Sequence, residues 1–111
     1  MSTAQILPGT LELLILRALS LGSLHGYGVL SRIEQLSSGA LLVEEGALYP
    51  ALWRLERQGL VSTEWGVSDN NRKAKFYAIT RKGRAKLGEQ MEAWDRLVAA
   101  MALVLRNGVT A

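Results

Sequence analysis

Leu87, Met91, Trp94, Val98, Met101 and Leu105 follow one another at intervals of 4, 3, 4, 3 and 4 along the last quarter of the chain. Apolar residues at that alternation line one side of a helix and form a coiled-coil seam, here sustained for nearly three heptads and widened by Leu97 and Val104. A helix of about 25 residues extends ~38 Å, further than a small three-helix core can cover. The spacing therefore predicts a rod that pairs outside its own domain, most simply with a second copy of the chain. Packing on the first helix accounts for part of its length equally well.

The rest of the chain must supply a head for this rod. At 111 residues, 49% of them apolar, it holds one domain with a core and is too short for two ordinary ones. It contains no cysteine, hence no disulfide framework and no cysteine metal site. Its start lacks a basic region followed by an apolar run and a small-residue cleavage site. The most apolar stretch, Leu11 to Leu21, is interrupted by Glu12 and Arg17 and falls short of a membrane span. A cytoplasmic protein without membrane contact is the expectation.

Met1 to Leu7 reads as a short arm, and Pro8-Gly9-Thr10 punctuates it before a first helix that Thr10 is placed to cap. Leu11, Leu14, Ile15, Ala18 and Leu19 make one stripe of that helix, with Leu13 and Leu16 beside it. So much apolar circumference needs cover on two sides. One is the core; the other assigns Leu13 and Leu16 to the dimer interface with Leu87, Met91, Trp94, Val98, Met101 and Leu105. Val29, Leu30, Ile33 and Leu36 give a second amphipathic helix. His25, the only histidine, reads as a helix-entry residue satisfied by backbone or water. Leu41-Leu42-Val43 is long enough only for a small edge strand.

The stretch from Glu45 to Leu60 reads as a third helix. Leu48, Ala51, Leu52 and Leu55 share one face, and the opposite face offers Ala47, Tyr49, Pro50, Trp53, Arg54 and Arg57. Proline is tolerated in the first turn, so Pro50 places the start near Ala47. Rings, donors and cations together suit a DNA-reading helix, whose first turn meets base edges; a buried helix with Tyr49 and Trp53 in the core is the alternative. Gly59 ends it.

Val61, Thr63 and Trp65 then alternate with polar residues, Ser68-Asp69-Asn70-Asn71 marks a turn, and Lys75 to Ile79 reads as the return strand. Three helices followed by a hairpin make a winged helix-turn-helix: mainly α with a small β-hairpin, plus the long C-terminal helix capped by Thr80. Residues 1–80 form the DNA-binding part and 81–111 the dimerisation helix, packed with the first helix into one unit. Seven of the thirteen cations (Arg72, Lys73, Lys75, Arg81, Lys82, Arg84 and Lys86) lie in one stretch with no acidic residue among them. Charge so concentrated favours a polyanion over a small ligand, although a solvated basic face has the same composition.

The order and wording of these segments are similar to a known family. Pro8-Gly9-Thr10-Leu11-Glu12-Leu13-Leu14-Ile15-Leu16, His25-Gly26-Tyr27-Gly28, Glu45-Gly46-Ala47-Leu48-Tyr49-Pro50-Ala51-Leu52 with Arg54-Leu55-Glu56 and Gly59-Leu60, and Lys75-Phe76-Tyr77-Ala78-Ile79-Thr80 with Gly83 resemble the PadR-type bacterial transcriptional regulators, in the short form with one C-terminal helix. The resemblance covers about residues 6 to 90. It implies a homodimeric repressor that binds a pseudo-palindromic operator on double-stranded DNA. The implied DNA contacts are Ala47, Tyr49, Pro50, Trp53 and Arg54 of the recognition helix, and Arg72, Lys73 and Lys75 of the wing. Some relatives respond to aromatic compounds, which makes Trp94 a candidate slot for a small aromatic effector; a packed interface ring is the other role its seam position allows.

A protein-interaction module built on the same winged helix explains Tyr49 and Trp53 equally well but not the uninterrupted cations. An enzyme is disfavoured: one histidine, no phosphate-cradling glycine loop and no carboxylate cluster leave no catalytic, metal or cofactor residues to assign.

Overall fold

The computed structural model describes Ile6 and residues 9–108; the rest of the expected N-terminal arm, with Pro8, lies outside the described residues. Seven elements follow in the order α1 (Leu11–Ser20), β1 (Leu24–His25), α2 (Gly26–Leu36), α3 (Glu45–Arg57), β2 (Val61–Val67), β3 (Lys73–Ile79) and α4 (Arg81–Arg106). The hairpin β2–β3 is antiparallel, running from Val61 opposite Ile79 to Val67 opposite Lys73. The return strand thus begins two residues before Lys75. A third strand, β1, pairs with the free edge of β3 through Leu24–Tyr77 and His25–Phe76, giving the sheet order β1-β3-β2. Two residues are too few to show a period, so this strand leaves no sequence signal. Leu41-Leu42-Val43 forms no edge strand: Leu41 makes a single-residue bridge, and Leu41 and Val43 pack on the core from irregular backbone.

The first helix is the centre of the head. Ile15, Leu16, Ala18 and Leu19 are buried, and α1 touches α2, α3, α4 and β3. This corrects the interface assignment of Leu16, which is 0% exposed within one protomer because it belongs to the protomer's own core with Leu55 and Leu60. Leu87 is corrected likewise. Helix α4 packs on α1 and β3, and Leu87 joins the protomer's own core. The close approach requires glycine at 83, where a Cβ would overlap the Leu60 carbonyl. Beyond that point the seam residues Met91, Trp94, Val98, Met101 and Leu105 are all exposed, and the rest of the 26-residue α4 projects from the head as a rod.

Helix ends follow the local chemistry. His25 Nδ1 accepts the Gly28 N–H at 3.0 Å and caps α2, as its helix-entry position suggests. Thr80 Oγ1 accepts from Gly83 N at 3.0 Å and donates to Gly59 O at 2.7 Å, capping α4 while holding the end of α3. Gly59, at φ +75°, closes α3 with Gly59 N–Glu56 O and Leu60 N–Leu55 O bonds, both 3.0 Å, a Schellman arrangement. Thr10 holds the N-cap position of α1 in a helical conformation, without a side-chain capping bond.

Candidate nucleic-acid interface

Leu48, Ala51, Leu52 and Leu55 seat α3 on the core. At 100° per residue the directly opposite ridge carries Gly46, Pro50, Trp53 and Arg57, flanked by Tyr49 and Glu56 on one side and by Ala47 and Arg54 on the other. The helix begins at Glu45, two residues earlier than Pro50 suggested, so the proline stands in the second turn. The carbonyl that loses its partner belongs to Gly46, which is exposed and can bind water. The cost of an interior proline is correspondingly reduced.

The outward ridge is preassembled. Trp53 is 57% exposed, and the Arg57 guanidinium lies over its ring at 4.8 Å. Arg57 sits at the centre of the surface although the contact set read from sequence omitted it; its i+4 spacing from Trp53 was the available signal. Tyr49 leans the other way, with its ring against the first turn of α2. A Cβ on Gly26 would fall 2.8 Å from Tyr49 Cε1, so glycine at 26 is what admits the phenol there. Arg54 turns towards α1, where Nε and Nη2 meet Glu12 Oε1 at 3.0 and 2.8 Å.

Glu56 joins the wing to this helix. It accepts from Thr63 Oγ1 at 3.1 Å and pairs with Lys75 Nζ at 3.4 Å. Lys75 Nζ also lies 5.7 Å from the Tyr77 ring. Lys75 is therefore a strut between wing and helix, whereas Arg72 and Lys73 stand free of ion pairs among the described residues. Lys73 is set over Trp65 at 5.3 Å, and the tip is closed by Ser68 N–Arg72 O and Asn71 N–Ser68 O bonds of 2.8 Å. Burial pushes the Tyr77 phenol above its ordinary value, against the opposing pull of the Lys75 ammonium. It stays neutral at physiological pH.

Between the wing and the start of α2 lies an open groove of about 710 Å³, lined among others by Tyr27, Tyr49, Trp65, Arg72, Lys73 and Lys75. Tyr27 and Trp65, both largely exposed, are not among the DNA contacts that the sequence implies. The structure thus brings Tyr49 and the wing cations to one groove, puts Pro50 and Trp53 on the adjoining ridge, and sets Ala47 and Arg54 on the far flank beside α1. A second, apolar groove of about 410 Å³ runs between α1 and α4 and brings Trp94 and Met91 together with Leu13, Leu14 and Leu41.

A model of the Transcriptional regulator PadR-like family matches residues 15–89. The chain belongs to this family. The PadR-like chain is 29% identical over 107 residues to an uncharacterised protein of Lysinibacillus sphaericus, covering 96% of this chain and 98% of that one. It is 41% identical over 64 residues to the transcriptional regulator Rv3488 of Mycobacterium tuberculosis, covering 58% of this chain and 59% of the relative. Among solved structures, a PadR-like transcriptional regulator from Bacillus cereus superposes with a TM-score of 0.79 at 28% identity, over 95% of this chain and all (100%) of that one. A PadR family transcriptional regulator from Eggerthella lenta gives 0.76 at 30% identity, over 90% and 85%. The winged-helix architecture and the place of this PadR-like chain among transcriptional regulators are thereby established. No helix among its described residues is long and apolar enough to cross a membrane.

Proposed function

We propose that two copies of the chain pair through α4 and set their α3 helices and wings on the two halves of a pseudo-palindromic duplex operator, acting as a cytoplasmic repressor. The observation that carries this reading is the joint presentation of the α3 ridge and a wing tethered to it by Glu56, with Arg72 and Lys73 free at the tip. The exposed α4 seam supports the pairing. The wing cations neutralise phosphates and supply most of the affinity, which falls steeply with salt. Tyr49 and Arg54 fix register and read base edges, and pairing spaces the two reading helices by about one duplex turn, ~34 Å.

The apolar α1–α4 groove supports a second layer. Its lining by Leu13, Leu14, Met91 and Trp94 suits a flat aromatic effector that stacks on the indole and shifts the helices relative to each other. Titrating such compounds against wild type and Trp94→Ala, with tryptophan emission as readout, tests the slot; identical responses in both proteins would remove it.

Sedimentation of the purified chain, with gel shifts on random duplex across a salt series, tests the main reading. A dimer with salt-sensitive binding supports it, and selection of bound sequences from a random pool then returns an inverted repeat. A lone protomer at micromolar concentration that ignores duplex in dilute buffer would refute it. A dimer that ignores duplex would be a protein-interaction module instead.

A further inference from the structure

Of the cations on the outward half of α3, Arg54 alone is held by a carboxylate among the described residues. Its Nε and Nη2 both donate to Oε1 of Glu12, at 3.0 and 2.8 Å. Glu12 lies in the first turn of α1, 42 positions earlier in the chain. The Arg54 side chain remains 50% exposed, that of Glu12 24%. A guanidinium is a planar fork with five donors. Here the Nε–Nη2 edge is occupied, while Nη1 has no partner among the described residues.

We propose that Glu12 is a positioning residue for DNA recognition. It fixes the plane of Arg54 so that the guanidinium reaches the duplex with its remaining Nη1 edge in one orientation. The proposal deepens the operator-binding reading and rests on it. Two physical consequences separate it from a simple surface ion pair, which contributes little. A guanidinium held by a carboxylate has lost its rotamer freedom before DNA arrives, so directional contacts need no further ordering. The pair is also close to electrically neutral, so Arg54 adds little to the long-range attraction that all duplexes share. Glu12 therefore governs discrimination between sequences, and the wing cations govern general affinity.

The test compares full-length wild type with Glu12→Ala, Glu12→Gln and Arg54→Lys. Each is titrated with the duplex that wild type selects from a random pool and with a scrambled duplex of equal length and composition. Glu12→Ala is expected to lower the preference for the selected duplex roughly tenfold, the scale of one misplaced directional contact. Binding to the scrambled duplex stays equal or tightens, because an anion has gone. Glu12→Gln retains an acceptor for the Arg54 edge and keeps the preference within about threefold of wild type. Arg54→Lys keeps the charge but has no fork, and loses preference as Glu12→Ala does. Unchanged preference in Glu12→Ala and Arg54→Lys overturns the proposal. So does an equal loss on both duplexes accompanied by a lower melting temperature, the signature of a purely structural strut. A wild-type chain that binds neither duplex overturns the operator-binding reading itself and this inference with it.

Discussion

Met101→Glu should convert the proposed dimer to protomers while leaving the head folded. Met101 lies on the α4 seam and is 50% exposed in a single chain, so pairing covers about half of its side chain. Complete burial of a methionine is worth about 2 kcal/mol, so the lost half amounts to about 1 kcal/mol in each protomer. By twofold symmetry the substitution occurs twice, and it brings two carboxylates towards each other in a desolvated seam, for which about 1 kcal/mol more per copy is a conservative figure. The combined effect of about 4 kcal/mol weakens association roughly a thousandfold. Sedimentation equilibrium over a range of concentrations measures it directly, and circular dichroism checks that the helices remain. Leu103→Glu is the control, because Leu103 is exposed on α4 but lies well off the seam in angle. Equal dissociation constants for wild type and Met101→Glu, or equal weakening by the two substitutions, would refute pairing through this face.

Arg72→Ala should weaken binding to every duplex and flatten the slope of log affinity against log salt by about 0.9, the value for one lost phosphate contact; an unchanged slope removes the wing tip from the interface. Thr80→Val removes the cap bond to Gly83 N and the bond to Gly59 O. Urea unfolding should then report a loss of about 1.5 kcal/mol, most of it from the cap since the Gly59 carbonyl can bind water instead, and Thr80→Ser should recover most of it. Gly26→Ala forces the Tyr49 ring off the first turn of α2. Operator affinity should drop further than unfolding stability does, and a loss of stability alone would show that Tyr49 has no part in binding.

Much of the fold could be read from the sequence because its signals are local. Thr80 and His25 cap the helices they precede, Gly59 ends α3, and the alternation around Val61 to Trp65 gives the wing. What stayed hidden depends on what lies opposite. Periodicity marks Leu16 and Leu87 as apolar-face residues but cannot tell a covering helix of the same chain from one of a partner, and in both cases the cover is the protomer's own. Pro50 by itself marks a helix start, whereas its tolerance rests on the exposure of Gly46, whose carbonyl lacks the helical bond. The wing cations looked alike in the sequence, yet Glu56 engages Lys75 and leaves Arg72 free. No short-range pattern announces the Glu12–Arg54 pair, because its partners meet only after α1 and α3 have docked.

The junction between the end of α3 and the start of α4 contains no slack. Thr80 N bonds to Leu60 O at 3.0 Å, Thr80 Oγ1 to Gly59 O at 2.7 Å, and Lys82 Nζ to Gln58 O at 2.9 Å, while Gly83 rides directly on the Leu60 carbonyl. Two chains paired through α4 as proposed would hold their heads like a caliper with a welded jaw. On that proposal, one base pair added between half-sites turns the second site by roughly 35° about the duplex axis, and heads held by these bonds would resist swivelling to follow. The DNA itself must twist or the second contact is lost, so tolerance to spacer length becomes a direct gauge of how stiff this corner is.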